Sequence, residues 1–506
     1  MSIRKFLFPS LFIGAVLTLI LRAFARPASA KPASNHTSYG DIDAYVKGQM
    51  HRLNIPGCSL AIVEGDRIVH VRGFGRAHPG GEAPSPQTPF FIGSTTKSFT
   101  ALGVMQLVEA GKIELDAPVQ RYLPWFRVAD PQASTQMTVR HLLNQTSGLP
   151  LLPAWQYLTD FDDRPDATER QSRALSRIKL SHPPGSAFEY SNLNYNLLGL
   201  VIEATGGESY ANYVQNHIFD PLGMSHSYTS KAAAKQHGLA AGHQFWFGVP
   251  IAAPDLPVPS GSLPSGQLIS SAEDMAHYLI AHLNQGSYGA TQILSPEGVA
   301  ELHRPVAQAF SLGAQTGMYG MGWYIEEQGQ ARVVWHSGMI PDFYAYMALL
   351  PEEKKGVVLL VNANHFTGNF TLTEVGAGVV ALLDGDQPAS NQFGAIPWVM
   401  RALLLIPLLQ ILGVVFTLGL LRGWRQDPQR RPARGRAWGL YILPSLVPNL
   451  FLAMIPLYLL AKRLLGFMLL FAPDFTWIAT ICGGFAGIWA FLRTGLILQA
   501  LRKPQA

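Results

Sequence analysis

Ser94-Thr95-Thr96-Lys97 sets a hydroxyl and an amine at a spacing that permits acyl chemistry. The run follows Phe90-Phe91-Ile92-Gly93 and opens an apolar helix. At i,i+3 spacing the two side chains share one helix face, with Cβ atoms about 5–6 Å apart. A hydroxyl is a weak nucleophile until a base takes its proton. A lysine close to other cations and to a helix N-terminus is biased toward its neutral, basic form. The same residues also fit plain capping, with Ser94 at the N-cap and Lys97 in solvent.

Two further motifs gain meaning beside the first. Tyr190-Ser191-Asn192 follows the loop His182-Pro183-Pro184-Gly185 and precedes an apolar helix. A tyrosine held near Lys97 can relay a proton to a leaving group. Asn192 offers an amide that can orient a carbonyl and bond Lys97. Capping by Ser191 or Asn192, with Tyr190 in the core, is the plainer alternative. His336-Ser337-Gly338 ends the strand Val333-Val334-Trp335. A basic residue and a small pair there make a shelf for substrate, and the N–H groups of Met339 and Ser94 can form an oxyanion hole. A satisfied strand-end histidine is the alternative.

The elements that position these residues fill 39–385. Asp41–Leu53 has helical periodicity. Cys58–Val63 and Arg67–Phe74 read as a hairpin around Gly65-Asp66. Ser98–Ala110, Asn192–Ala204 (ended by Gly206-Gly207) and Ala272–Leu283 read as helices. Gly322–Glu326, Arg332–Trp335, Tyr344–Leu350 and Gly356–Asn362 read as strands, and Phe370–Leu383 as a closing helix. Strands at both ends with helices between predict an α/β (α+β) unit, one antiparallel sheet built from both chain ends and flanked by helices.

Taken in order, Ser-x-x-Lys, Tyr-x-Asn and His-Ser-Gly resemble the serine β-lactamase and penicillin-binding-protein superfamily. The histidine of the third motif resembles its class C-like branch of esterases, D-aminopeptidases and carboxypeptidases. His141-Leu142-Leu143, Thr146-Ser147-Gly148-Leu149 and Tyr319-Gly320-Met321-Gly322-Trp323 fit the same likeness as structural motifs. The resemblance implies a β-lactamase/transpeptidase-like fold and a hydrolase working through an acyl-enzyme. It implies Ser94 as nucleophile, Lys97 and Tyr190 as its proton partners, and Asn192, His336, Ser337, Gly338 and Met339 as substrate-binding. No metal or other cofactor is implied.

Hydrophobic residues make up 48 % of the 506, and charged residues 14 %, a balance that points to membrane segments. The net charge of +5 is uneven. Residues 31–390 carry 22 Lys and Arg against 31 Asp and Glu, or −9; the rest carry 16 against 2, or +14. The basic charge sits beside apolar segments, so it describes no nucleic-acid binder. Residues 1–30 read as a signal peptide or an N-terminal anchor: Arg4 and Lys5, an apolar run from Phe6 to Leu21, then Ala28-Ser29-Ala30. A linker at 386–396 leads to 397–506, where 402–421, 437–461 and 475–492 are each long enough to span a bilayer core. Pro444, Pro448 and Pro456 kink the second, and 464–472 is too short to span. Six arginines from Arg422 to Arg436 predict a cytoplasmic loop and a catalytic unit outside the cytoplasmic membrane. Signal, hydrolase domain and three spans together resemble the membrane-bound prodrug-activating peptidases of the colibactin type.

Other readings are weaker. An acyl-ligand sensor, or a partner-docking protein without turnover, sits poorly with an intact Ser94, Lys97 and Tyr190. A transporter module sits poorly with spans holding few charges. Gly73-Phe74-Gly75 lacks the third glycine of a dinucleotide loop. No His-Glu-x-x-His or zinc spacing occurs. Cys58 and Cys482 are expected to remain unbonded. The expected partners are a small acyl or peptide substrate and the lipid bilayer. Protein partners are not legible.

Overall fold

A computed structural model describes residues 38–311, 314–329, 331–389 and 393–502. The expected signal at 1–30 lies outside the described residues. The chain divides into two compact units, the larger holding residues 38–245 and 250–389 and the smaller holding Trp246–Val249 with the helices beyond 390.

In the larger unit, α1 (Tyr39–Leu53) starts on a reciprocal cap. Ser38 Oγ accepts from Asp41 N at 3.2 Å, and Ser38 N donates to the Asp41 carboxylate at 2.9 Å. The hairpin β1 (Gly57–Glu64) and β2 (Arg67–Gly75) follows, turning at Gly65 with φ +60. The longest helices that come next are α2 (Thr96–Glu109), α3 (Asn192–Gly206) and α4 (Ala272–Leu283). Gly207 closes α3 at φ +83, the left-handed cap that glycine adopts freely. The chain then lays down β3 (Ala307–Ser311), β4 (Ala314–Tyr319), β5 (Tyr324–Gln328), β6 (Ala331–Ile340), β7 (Phe343–Leu350) and β8 (Lys355–Val361), and closes with α5 (Gly368–Leu383).

Among the described residues these strands form one eight-stranded sheet in the order β2-β1-β8-β7-β6-β5-β4-β3. Every neighbouring pair is antiparallel. The N-terminal hairpin joins the C-terminal strands through β1 and β8, from Cys58 opposite Val361 to Glu64 opposite Lys355. Both faces of β1 are covered, in keeping with the apolar run Leu60-Ala61-Ile62-Val63. Leu60 and Ile62 pack with Val46 of α1 and Val375 and Val379 of α5. Ala61 and Val63 face the opposite core, with Phe99, Val104, Leu198 and Leu279.

Expectation and structure differ at several points, and the strand expected to end at Trp335 runs on through His336-Ser337-Gly338 to Ile340. The hairpin β3–β4 was not expected, because polar residues and Gly317 hide its alternation. The expected strand Gly322–Glu326 begins instead at Tyr324. Gly322 turns at φ +83, and a Cβ on it would stand 2.9 Å from the Lys97 carbonyl oxygen. This glycine therefore lets the turn press against α2. Cys58 and Cys482 are both free and buried.

The smaller unit holds three helices long and apolar enough to cross a membrane: Ile396–Gln426, Arg434–Ala461 and Pro473–Arg502. Between the last two lies the short helix Leu465–Phe471. A Cβ on Gly483 would stand 2.8 Å from Pro456 Cγ and 2.9 Å from the Leu452 oxygen, so the second and third helices meet at a small residue. Gln410 Nε2 donates to the Cys482 carbonyl at 2.8 Å, tying the first helix to the third. The third helix runs past the expected end at 492. Arg493 does not end it, because its guanidinium is held inside the bundle.

Candidate active site

The segment carrying Ser94 is fixed from both sides. Phe90 and Phe91 pair antiparallel with Ser270 and Ile269. Gly93 then turns at φ +54, where a Cβ would stand 2.4 Å from Met339 N. A 3₁₀ turn, Gly93–Thr95, leads into α2. Neither cap position here makes a side-chain capping bond, so Ser94 is not spent as a cap. It stays partly exposed at the mouth of the helix.

Lys97 lies one turn on and is fully buried. Its Nζ is 3.1 Å from Ser94 Oγ, 2.8 Å from Asn192 Oδ1 and 2.7 Å from the Ser265 carbonyl oxygen. It also stands 4.8 Å from the Tyr190 ring centre and 5.7 Å from that of Tyr195. Burial holds its pKa well below the usual lysine value. The expected cause, neighbouring cations and a helix end, is replaced by burial. A neutral amine has two N–H donors and one lone pair. Asn192 Oδ1 and the Ser265 carbonyl can only accept, so they take the two donors. The lone pair is left for the Ser94 hydroxyl.

Asn192 is the first residue of α3, and the loop before it is clamped. Gln145 Oε1 accepts from Ser191 N at 2.9 Å and from Asn194 Nδ2 at 2.5 Å. Ser191 Oγ donates to the Pro150 carbonyl at 3.1 Å. The Thr146-Ser147-Gly148-Leu149 stretch thus serves to seat α3, and Ser147 Oγ bonds Asn194 Oδ1 at 2.5 Å. Tyr190 precedes this clamp, with its hydroxyl hydrogen-bonded to Ser94; burial pushes that hydroxyl's pKa up.

The third motif lies on β6, paired to β7 with His336 opposite Met347 and Gly338 opposite Ala345. A Cβ on Gly338 would stand 1.9 Å from the Ile92 oxygen and 2.9 Å from Ser94 N. The strand therefore runs against the nucleophile segment, bringing the Met339 and Ser94 backbones side by side. Ser337 and Met339 are half-buried. His336 is only 1 % exposed, and burial pushes its pKa down to about 3. It is a neutral ring. Its Nδ1–H donates to the Ser337 carbonyl at 2.6 Å, which leaves Nε2 to face the Tyr319 hydroxyl at 3.4 Å. The rings of Tyr324, Tyr319 and Tyr190 surround it at 5.1, 6.1 and 6.2 Å.

All three motifs thus converge on Ser94. Two contributors were missed. Ser265 acts through a backbone carbonyl, for which Leu263-Pro264-Ser265-Gly266 gives only a turn signal. Tyr319, read as structural, meets His336. Among the described residues no group of three or more His, Cys, Asp or Glu could hold a metal ion.

The Beta-lactamase family model matches residues 42–379. Protein flp of Staphylococcus aureus (strain MW2) is 28 % identical over 330 residues, 65 % of this chain. The chain spans 64 % of that relative's length. Penicillin-binding protein 4 of Amycolatopsis lactamdurans is 30 % identical over 326 residues, covering 63 % of this chain and 84 % of the relative. The octameric penicillin-binding protein homologue from Pyrococcus abyssi superposes with a TM-score of 0.62 at 29 % identity, over 72 % of this chain and 81 % of its own. The D-amino acid amidase from Ochrobactrum anthropi SV3, complexed with L-phenylalanine amide, gives 0.58 at 25 % identity, over 68 % and 98 %.

Proposed function

The chain belongs to the Beta-lactamase family, and on that premise we propose that it is a membrane-anchored serine hydrolase cleaving a small peptide, amide or ester through an acyl-enzyme on Ser94. One observation carries the reading: the buried Lys97 Nζ stands within hydrogen-bond distance of Ser94 Oγ, Asn192 Oδ1 and the Ser265 carbonyl, so that once neutral it gives its N–H groups to the two acceptors and its lone pair to Ser94. Ser94 Oγ attacks the substrate carbonyl carbon while its proton passes to Lys97 Nζ. The carbonyl π electrons move onto oxygen, which the N–H groups of Ser94 and Met339 receive. Collapse of this intermediate breaks the bond to the leaving amine or alcohol. Tyr190 protonates that group and recovers its proton from Lys97. Water, deprotonated by the same base, then releases the acid and frees Ser94.

Asn192, Ser337 and the β6 edge position the substrate. His336 contributes as a neutral ring, not as a charge for a carboxylate. Likeness to a D-amino acid amidase and to penicillin-binding proteins makes D-amino-acid amides and D-peptides the first substrates to test. The three apolar helices and the arginine loop support an anchor in the cytoplasmic membrane with this unit on the outer side.

Detergent-purified full-length protein, offered D- and L-amino-acid amides, D-Ala-D-Ala peptides, esters and β-lactams, should turn over at least one class. Ser94→Ala should abolish that turnover. Acylation of Ser94 without turnover of any class would move the reading to a ligand-binding sensor. A reporter fused after Pro388 should score outside and one at Gln429 inside; the reverse would overturn the compartment.

A further inference from the structure

Arg493 is a charge placed among apolar helices. Only 6 % of it is exposed. Its Nε donates to Thr417 Oγ1 of the first helix at 2.8 Å, and Nη1 donates to the Tyr441 carbonyl at the start of the second. Thr417 is prepared for this, since its own hydroxyl hydrogen goes to the Gly413 carbonyl at 2.7 Å. Tyr441 lies in the π-helical turn Trp438–Ile442. One guanidinium therefore joins all three helices.

These bonds use two of five N–H donors and neutralise no charge. A buried cation without a counter-ion is strongly unfavourable. The helical unit has little to offer: Asp427 and Asp474 are the two acidic residues in 390–506. Asp427 pairs with Arg430 at 2.8 Å. Asp474 sits 19 residues before Arg493 on the same helix, about 28 Å away, and accepts from Phe475 N at 2.7 Å. No described carboxylate forms an ion pair with Arg493. Its Nη2 has no protein partner among the described residues and is not a sealed orphan. An anion to meet this charge is therefore sought outside the described residues.

The position along the helix says what that anion is. Thr417 lies five residues, about 7.5 Å of helix, before Arg422. The Trp424 and Tyr441 rings meet edge-on with centroids 5.3 Å apart, at the level where aromatic side chains mark a membrane interface. Arg422, Arg425, Arg434 and Arg436 stand exposed just beyond. Phosphate is the anion at this depth, and a basic cluster at a cytoplasmic helix end suits it. We infer that Arg493, set below these loop arginines along the helices, binds the phosphate of an anionic phospholipid head group. The inference rests on the membrane-anchor reading above.

Full-length protein extracted from membranes in mild detergent tests it by native mass spectrometry and thermal unfolding. Fractionation comes first: protein found free of membranes would sink the anchor reading itself. For membrane-derived protein, phosphatidylglycerol should be retained and should raise the unfolding temperature, whereas phosphatidylcholine and soluble glycerol phosphate should do neither. Arg493→Gln should weaken phosphatidylglycerol binding at least tenfold while the protein still fractionates with membranes. Thr417→Val, which keeps the cation but frees its orientation, should weaken binding less and serves if Arg493→Gln fails to accumulate. Equal binding by wild type and whichever variant is recovered would overturn the site. So would equal retention of phosphatidylcholine, equal binding of glycerol phosphate, or loss of binding in Arg434→Gln/Arg436→Gln alone.

Discussion

Lys97 Nζ stands 3.1 Å from Ser94 Oγ, and no described carboxylate ion-pairs with that amine. The pairing is informative for what it lacks. A buried lysine beside Asp or Glu would stay charged and serve as an anchor. Here every polar neighbour is neutral, so burial can drive off the proton and leave a base facing a hydroxyl.

A fluorophosphonate probe should therefore add one mass to the chain, at Ser94. Ser94→Ala should remove the label. Lys97→Ala should slow labelling by about 10²–10⁴-fold, the usual worth of general-base assistance, with the circular dichroism unchanged. Label that persists in Ser94→Ala, or maps to Ser98 or Ser191, contradicts the assignment.

The depressed Lys97 pKa fixes a sign for two pH profiles. The base works only when neutral, so kcat/KM should rise with pH through the lowered Lys97 pKa. His336, pushed to about 3, and Tyr190, pushed upward, should add no step near neutrality. For stability, the unfolded chain holds the Lys97 proton up to its ordinary value of 10.5, while the folded chain has released it. Between the two pKa values the unfolded state binds more protons, so this group's contribution to stability grows as pH rises. Lys97→Met should flatten that dependence by up to about 1.4 kcal/mol per pH unit. Denaturant titrations from pH 7 to 10 measure it, and an unchanged slope means that Lys97 stays protonated.

Residues that act through side chains next to their own motif were legible in the sequence. Ser94 with Lys97, Tyr190 with Asn192, and His336 with Gly338 each declare themselves by type and spacing. What escaped lies where type carries no signal. Ser265 contributes a carbonyl that any residue there would own. The β3–β4 hairpin lies in polar sequence with weak alternation. The neutrality of His336 was also illegible, since it arises from the rings of Tyr319, Tyr324 and Tyr190, which only the fold brings together. Likewise, nothing local announces that Arg493 turns inward, because its partners are 76 and 52 residues away in the chain.

His336 should prove a positioning residue. His336→Ala should lower kcat/KM less than Ser94→Ala does, and should leave the fluorophosphonate label in place. Tyr319→Phe should behave similarly and more mildly, since it strips Nε2 of its one partner among the described residues and leaves a buried acceptor unpaired, a loss of about 1–3 kcal/mol. If His336→Ala blocks labelling as completely as loss of Ser94, the ring takes part in activating the nucleophile.

Gly338 tests whether the strand and the nucleophile form one rigid site. The Cβ of an alanine there would fall 1.9 Å from the Ile92 oxygen and 2.9 Å from Ser94 N. Both are backbone atoms, held by the β6–β7 pairing on one side and by the turn into α2 on the other. Neither can swing aside as a side chain can, so β6 has to shift away by more than an ångström. That shift separates the Met339 and Ser94 N–H groups that receive the oxyanion. A displacement of about 1 Å in a catalytic constellation is worth about 10²-fold in rate. Gly338→Ala should therefore lower kcat by about that factor. Gly48→Ala is the control, because a Cβ on Gly48 meets nothing within 4 Å and lies mid-helix in α1. It should keep full activity and gain about 0.5–1 kcal/mol of stability. Steady-state kinetics with thermal melts on both variants separate a displaced site from a general loss of folding. Wild-type kcat in a folded Gly338→Ala protein would show that β6 does not build the oxyanion hole.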